Sequence, residues 1–253
     1  MRKMTKMRLD RVLSNSGYGS RNEIRKIIKS GAVSVDGRTV IDASLHVDPD
    51  RSAIEIDGEG LCYRKFLYIM MNKPAGVISA TSDIRQRTAV DLLPEWYKNF
   101  NLFPAGRLDI DTEGLLLLTN DGQMAHELLS PKKHVDKRYY ALIEGLVTQE
   151  DVKCFEEGVI LDDGYKTMPS ELEIIVAGSS RSELRSEIEL VLHEGKFHQV
   201  KRMFEAVGKR VIYLKRIQMG GLKLDEALKA GEFRELTPQE VLLLVDKEQV
   251  AQV

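Results

Sequence analysis

The chain has 253 residues, 43% hydrophobic and 30% charged, which suits a soluble globular protein with a sizeable core in one large domain or two smaller ones. No apolar stretch approaches the roughly 18 residues of a membrane span, and the basic start Met1 to Met7 has no apolar run behind it, so neither a membrane span nor a signal peptide is expected. Two cysteines far apart, Cys62 and Cys154, exclude a disulfide framework and suit a reducing cytoplasm. The net charge of −2 hides an asymmetry: residues 1–38 hold ten Lys/Arg against three acids, a net of +7, so the remainder carries −9. A basic module on an acidic body suggests an arm for a polyanion.

In chain order, Leu9, Val12 and Leu13 have the i, i+3, i+4 spacing of one buried helical face. Ser20-Arg21-Asn22-Glu23 reads as a capping box, and Ile24, Ile27 and Ile28 give the second helix its apolar face before Gly31 ends it. Arg21, Arg25 and Lys29 recur every four residues and form a basic stripe on the exposed side. Two β-rich segments, 32–35 and 38–41, flank Asp36-Gly37 as a hairpin. This helix-helix-hairpin pattern resembles the small RNA-binding domain shared with the ribosomal protein S-four family. The resemblance implies that Arg8, Arg11, Ser20, Arg21, Arg25, Lys26 and Lys29 contact structured RNA.

Gly58, Glu59 and Gly60 read as a short hinge, giving domains at 1–60 and 61–253. The apolar run 66–71 enters a tight turn at Lys73-Pro74-Ala75-Gly76, with Val77-Ile78 continuing the strand beyond it. Further strands are expected at 114–119, 138–143, 171–177, 184–192 and 211–217, and helices near 123–129, 148–157, 196–207 and 238–245. Thr148 and Asp151 cap one helix, Gly158 and Gly208 end two, Pro238 suits a first helical turn, and Asp162-Asp163 marks an ordinary turn. Strands following one another with few helices between them predict an α+β domain with a mixed, largely antiparallel sheet.

The densest chemistry lies in Gly106-Arg107-Leu108-Asp109-Ile110-Asp111-Thr112-Glu113-Gly114, which runs straight into Leu115-Leu116-Leu117-Leu118. Charges this close to a buried strand are costly unless paired or used. Read as an extended segment, Arg107, Asp109 and Asp111 point to one side, and Arg107 keeps a carboxylate charged. No phosphate-binding loop, dinucleotide fingerprint or metal-ligand spacing is present, so neither a cofactor nor a metal is expected. Such carboxylates serve either a glycosidase pair or a single nucleophilic Asp. Between residues 194 and 216 seven Lys/Arg face two acids, which suits a polyanionic substrate.

Taken in order, Lys73-Pro74, Gly106-Arg107-Leu108-Asp109, Lys137-Arg138-Tyr139 and His198-Gln199-Val200-Lys201-Arg202-Met203-Phe204 resemble the RsuA-type RNA pseudouridine synthases. The resemblance implies isomerisation of a uridine within ribosomal RNA without a cofactor, with Asp109 as the essential carboxylate and Tyr139 stacking on the target base. Lys201 or Arg202 supplies the basic partner of Asp109, Arg107 helps hold it ionised, and Lys73 shapes the site and meets a phosphate. Tyr140, of opposite parity, is structural. Arg107 to Thr112 and the Asn120-Asp121-Gly122 turn look closer to the small-subunit enzyme than to its large-subunit relatives. The implied partner is ribosomal RNA or an assembly particle, bound by a monomer in a bacterial cytoplasm. The rival reading is a noncatalytic ribosome assembly factor on the same scaffold.

Overall fold

The computed structural model describes residues 6–61, 63–177 and 185–244. Near the N-terminus β1 (Met7–Arg8) leads into α1 (Leu9–Asn15) and α2 (Arg21–Lys29). The apolar spacing does what it predicts: Leu9, Val12, Leu13, Ile24 and Ile28 are fully buried in one cluster with Val33, Val35, Ile54 and Ile56. The capping box forms, with the Ser20 backbone N–H donating to Glu23 Oε2 at 2.8 Å and the Glu23 N–H returning to Ser20 Oγ at 3.4 Å.

Next, β2 (Val33–Val35) and β3 (Arg38–Thr39) form the expected hairpin. Asp36 and Gly37 have φ of 50° and 76°, the left-handed pair that a two-residue turn with native strand twist requires. β4 (His46–Val47) pairs with β1, and β5 (Ile54–Ile56) with β6 (Glu59–Gly60). Here the expected hinge is corrected. Asp57 and Gly58 repeat the same turn with φ of 50° and 82°, so residues 58–60 belong to a second hairpin in a sheet ordered β3-β2-β5-β6.

The chain divides into two units by its contacts, one of Met1–Leu67 with Leu93–Leu102, the other of Tyr68–Leu92 with Phe103–Val253. The division falls seven residues beyond the boundary expected at residue 60, and 93–102 returns to the first unit. Within that unit Asn99 Nδ2 donates to the Gly17 carbonyl at 2.9 Å, and the Phe100 ring occupies the space a Cβ on Gly17 would need.

The second unit carries β7 (Tyr68–Lys73), β8 (Phe103–Pro104), β9 (Glu113–Thr119), α3 (Gly122–Leu129), β10 (Lys137–Glu144) and α4 (Gln149–Glu157). It continues with β11 (Glu171–Val176), β12 (Arg185–Leu192), α5 (Gln199–Ala206), β13 (Arg210–Met219), β14 (Leu222–Lys223), β15 (Phe233–Glu235) and α6 (Pro238–Leu243). The main sheet runs β11-β12-β10-β13-β9-β7-β15, with β14 on β13 and β8 on β9. Among the described pairings within these strands only β9 with β13 is parallel, so the sheet is mixed and largely antiparallel, and the fold is α+β. Leu115–Leu118 are fully buried, as a strand covered on both faces requires. Val77-Ile78 does not extend a strand; Ile78 makes an isolated bridge to Thr88.

Register sets up the site. Lys73 pairs with Gly114, Gly114 with Arg216, and Arg216 with Tyr139, so four residues from β7, β9, β13 and β10 lie in one row across the sheet. Gly114 makes that row possible. Its φ is +98°, and a Cβ there would sit 2.2 Å from the Arg216 carbonyl oxygen.

Candidate active site

Asp109 sits in the loop that leads into β9, and the loop is a turn rather than the extended segment expected: the Thr112 N–H donates to the Asp109 carbonyl at 3.1 Å. The turn removes the strand alternation that would have aligned Arg107 with Asp109. Arg107 is exposed and has no ion-pair partner among the described residues. The ionic partner comes instead from α5, where Lys201 Nζ lies 3.5 Å from Asp109 Oδ2 and 2.6 Å from Asp111 Oδ1. His198 Nε2 lies 3.7 Å from Asp109 Oδ1. The Lys201 ammonium, through its hydrogen bond, holds the Asp111 carboxyl below its usual range. The Asp109 side chain is 26% exposed, shielded yet open to a substrate.

Lys201 and Arg202 reach different carboxylates because of their positions on the helix. Arg202, one residue on, points to the Asp162-Asp163 turn and pairs with both carboxylates, at 2.7 Å for Asp163. It anchors that turn, and among the described residues its ion pairs are with Asp162 and Asp163.

Lys73 shapes the site as expected but is not placed to meet a phosphate. It is fully buried, and Nζ donates to the carbonyls of Pro74 at 2.9 Å, Thr112 at 2.9 Å and Ile110 at 3.4 Å. No proton is left to meet a phosphate. Burial pushes its amine down to about 8, against the opposing charges of Asp111, Glu113 and Asp109. Lys73 therefore staples the Lys-Pro turn to the loop bearing Asp109. The Gly76 N–H adds a bond to the Ile110 carbonyl at 2.7 Å. On the other side of Asp109, Ser79 Oγ donates to the Leu108 carbonyl at 2.9 Å and accepts from the Leu108 N–H at 3.0 Å. The backbone carrying Asp109 is thus clamped on both sides.

Tyr139 is half-buried and packs against the cluster holding Val200, Met203 and Phe204 of α5. Tyr140, on the opposite face, donates its hydroxyl to Glu187 Oε2 at 2.8 Å. Two further cations of this sheet are buried and bond to backbone carbonyls. Arg216 is buried and donates from Nε to the Leu115 carbonyl at 2.8 Å, and Lys137 donates to the Val135 carbonyl at 2.6 Å. Burial, then the Arg216 charge, brings the Lys137 amine down to about 8. Neither hydropathy nor spacing distinguishes these cations from surface lysines and arginines; only the sheet register does.

In the first unit the seven expected RNA-contact residues are all exposed. Three of them are already engaged. Arg8 and Arg25 reach the buried Asp10 at 2.8 and 3.5 Å; burial opposes ionisation of that carboxyl, but the two guanidinium groups outweigh it and hold it below its usual range. Ser20 Oγ is occupied by the capping box.

A family model described as RNA pseudouridylate synthase matches residues 67–206, and one described as S4 domain matches residues 7–51. The chain belongs to the RNA pseudouridylate synthase family. This pseudouridine synthase is 53% identical to the RNA pseudouridine synthase YtzG of Bacillus subtilis, over 94% of this chain and 98% of the relative. It is 39% identical to the ribosomal large subunit pseudouridine synthase B of the same organism, over 92% and 93%. Against the ribosomal small subunit pseudouridine synthase A of Vibrio parahaemolyticus the identity is 40%, over 93% and 98%. A crystal structure of a pseudouridylate synthase superposes with a TM-score of 0.65 at 34% identity, covering 94% of this chain and all of that one. The enzyme is an RNA pseudouridine synthase with an S4 domain ahead of its catalytic fold. Asp109, Tyr139 and Lys201 all lie within the span of the synthase match.

Proposed function

We propose that this enzyme converts one uridine of ribosomal RNA to pseudouridine, with Asp109 as the catalytic carboxylate. The supporting observation is the Asp109 carboxylate facing Lys201 Nζ at 3.5 Å and His198 Nε2 at 3.7 Å. In the reaction the C1′–N1 bond breaks, the uracil turns in place, and C5 bonds to C1′. The proton lost from C5 balances the one gained at N1. Asp109 attacks covalently or takes a proton, and the Lys201 ammonium faces its carboxylate at 3.5 Å for either route. Tyr139 stacks on the extruded base and offsets part of an unstacking cost of a few kcal/mol. Arg107, exposed and unengaged among the described residues, is free to meet the RNA.

The S4 domain places the enzyme through phosphates, with Arg11, Arg21, Lys26 and Lys29 as its available charges and Arg8 and Arg25 shared with Asp10. A monomer working in the bacterial cytoplasm is sufficient for one RNA site. The substrate is small-subunit ribosomal RNA on the strength of the 107–112 and 120–122 motifs. Relatives named for the small and the large subunit are nearly equal in identity, at 40% and 39%, so both RNAs belong in the test.

The test is site-resolved pseudouridine mapping on unmodified small- and large-subunit ribosomal RNA, free and in partly assembled particles. A single new pseudouridine in small-subunit RNA is expected. A product in large-subunit RNA alone would move the substrate and leave the chemistry intact. Tight binding with no product anywhere would favour the assembly-factor reading.

A further inference from the structure

Beside Asp109 the structure exposes an aromatic ring that neither the fold nor the proposed chemistry uses. Phe197 is 70% exposed, so most of its apolar surface stays in water and is open to a ligand. Its ring stacks on the His198 imidazole, centroids 3.8 Å apart and planes 18° from parallel, and that imidazole is the group 3.7 Å from Asp109. His198 adopts φ 48° and ψ 33°, a left-handed conformation that a non-glycine residue holds only when its surroundings enforce it.

The surroundings are specific. Glu194 is buried and accepts bonds from Tyr165 Oη at 2.7 Å, the Met168 N–H at 2.9 Å and Gln199 Nε2 at 2.9 Å. Gln199 Oε1 in turn accepts the Lys196 N–H at 2.8 Å, and the Lys196 ammonium lies 4.5 Å from the centre of the Tyr165 ring. The loop 194–199 is therefore held by the polar bonds of Glu194 and Gln199, and its exposed Phe197 ring stacks on the imidazole that faces Asp109.

We propose that Phe197 is a substrate-binding residue that stacks on the nucleobase flanking the extruded uridine. Extrusion leaves an unstacked neighbour, and an exposed ring beside the catalytic carboxylate supplies a replacement face that any base can use. Lys196 adds positive charge for the adjoining backbone. The inference rests on the reading of Asp109 as the catalytic carboxylate acting on RNA.

The test follows conversion kinetically on transcripts of unmodified small- and large-subunit ribosomal RNA, with wild type, F197A, F197L, F197W and D109N. F197A and F197L are expected to raise KM about tenfold while kcat stays within about twofold, and F197W is expected to restore KM. Leucine matches the ring in hydrophobicity but has no π-face, so rescue by tryptophan alone separates stacking from packing. In short RNAs carrying 2-aminopurine on either side of the mapped uridine, wild type and F197W quench one flanking probe on binding, and F197A and F197L do not. Unchanged KM in F197A and F197L overturns the proposal. So does loss of kcat at unchanged KM, which would place Phe197 behind His198 instead of on the RNA. Absence of product with wild type itself strikes the underlying reading of the chemistry, and is told apart from failure of the contact by the equality of wild type with D109N.

Discussion

Lys201 illustrates how one side chain is shared between two carboxylates of unequal exposure. Its shorter bond goes to Asp111, whose side chain is 65% exposed, and its longer approach goes to the more enclosed Asp109. An exposed pair is worth little, whereas a charge facing Asp109, the carboxylate proposed to react, would act on every turnover. K201M is therefore expected to lower kcat on the order of a hundredfold, by analogy with loss of one preorganised charge-stabilising group. D111N, by contrast, should leave kcat within about twofold, because it removes only the exposed pair. Single-turnover rates on the mapped RNA measure both; equal losses in the two variants would mean that Asp111 shares the chemistry.

At the scale of elements, the meeting of β7 with the loop before β9 depends on Lys73 donating to three carbonyls. The folded chain releases the Lys73 proton near pH 8, whereas the ordinary value for an unfolded chain is 10.5. Between those values the unfolded chain binds more protons, so this group makes stability rise with pH across that window and then level off. Denaturant unfolding of wild type and K73M from pH 7.5 to 11, a range of about three and a half units spanning the window, should show wild type gaining relative to the variant. A flat difference would mean that Lys73 titrates normally.

The same stretch marks what the sequence could and could not reveal. Local chemistry was legible: the Ser20–Glu23 and Thr148–Asp151 boxes, the Asp36-Gly37 hairpin and the buried Leu115–Leu118 strand follow from bonds within a few residues. Asp57-Gly58 carried the same signal as Asp36-Gly37, but the glycines at 58 and 60 read as a hinge because the pairing of β5 with β2 is nonlocal. The motifs singled out Asp109 and Tyr139 as candidates for the proposed chemistry. The buried state of Lys73 was not legible, since a lysine before a proline turn reads as surface until the 109–112 loop closes over it. Nor could adjacency in sequence separate Lys201 from Arg202. Successive helical residues point about 100° apart, and only the tertiary positions of the 109–111 and 162–163 loops decide which carboxylates each one meets.

For the whole molecule, the charge asymmetry becomes a division of labour between an S4 domain that carries the positive charge and a catalytic unit that carries the Asp109 carboxylate. Arg8 and Arg25 spend part of their charge on Asp10, whereas Arg21 and Lys29 are exposed without a described carboxylate partner. Affinity for RNA should fall with salt, and the double variant R21A/K29A should reduce the slope of log K against log salt by about 1 to 2. Binding isotherms across a salt series measure it. A slope equal to that of wild type would place the phosphate contacts elsewhere.

With Asp109 as the proposed catalytic carboxylate, binding and chemistry separate at this residue. The most direct measurement compares wild type and D109N for single-turnover pseudouridine formation and for RNA affinity on the same transcript. Near-isosteric replacement should abolish conversion and leave affinity within about threefold, since phosphate contacts made elsewhere supply most of the binding. Full turnover by D109N would contradict the assignment of Asp109, whatever its effect on affinity.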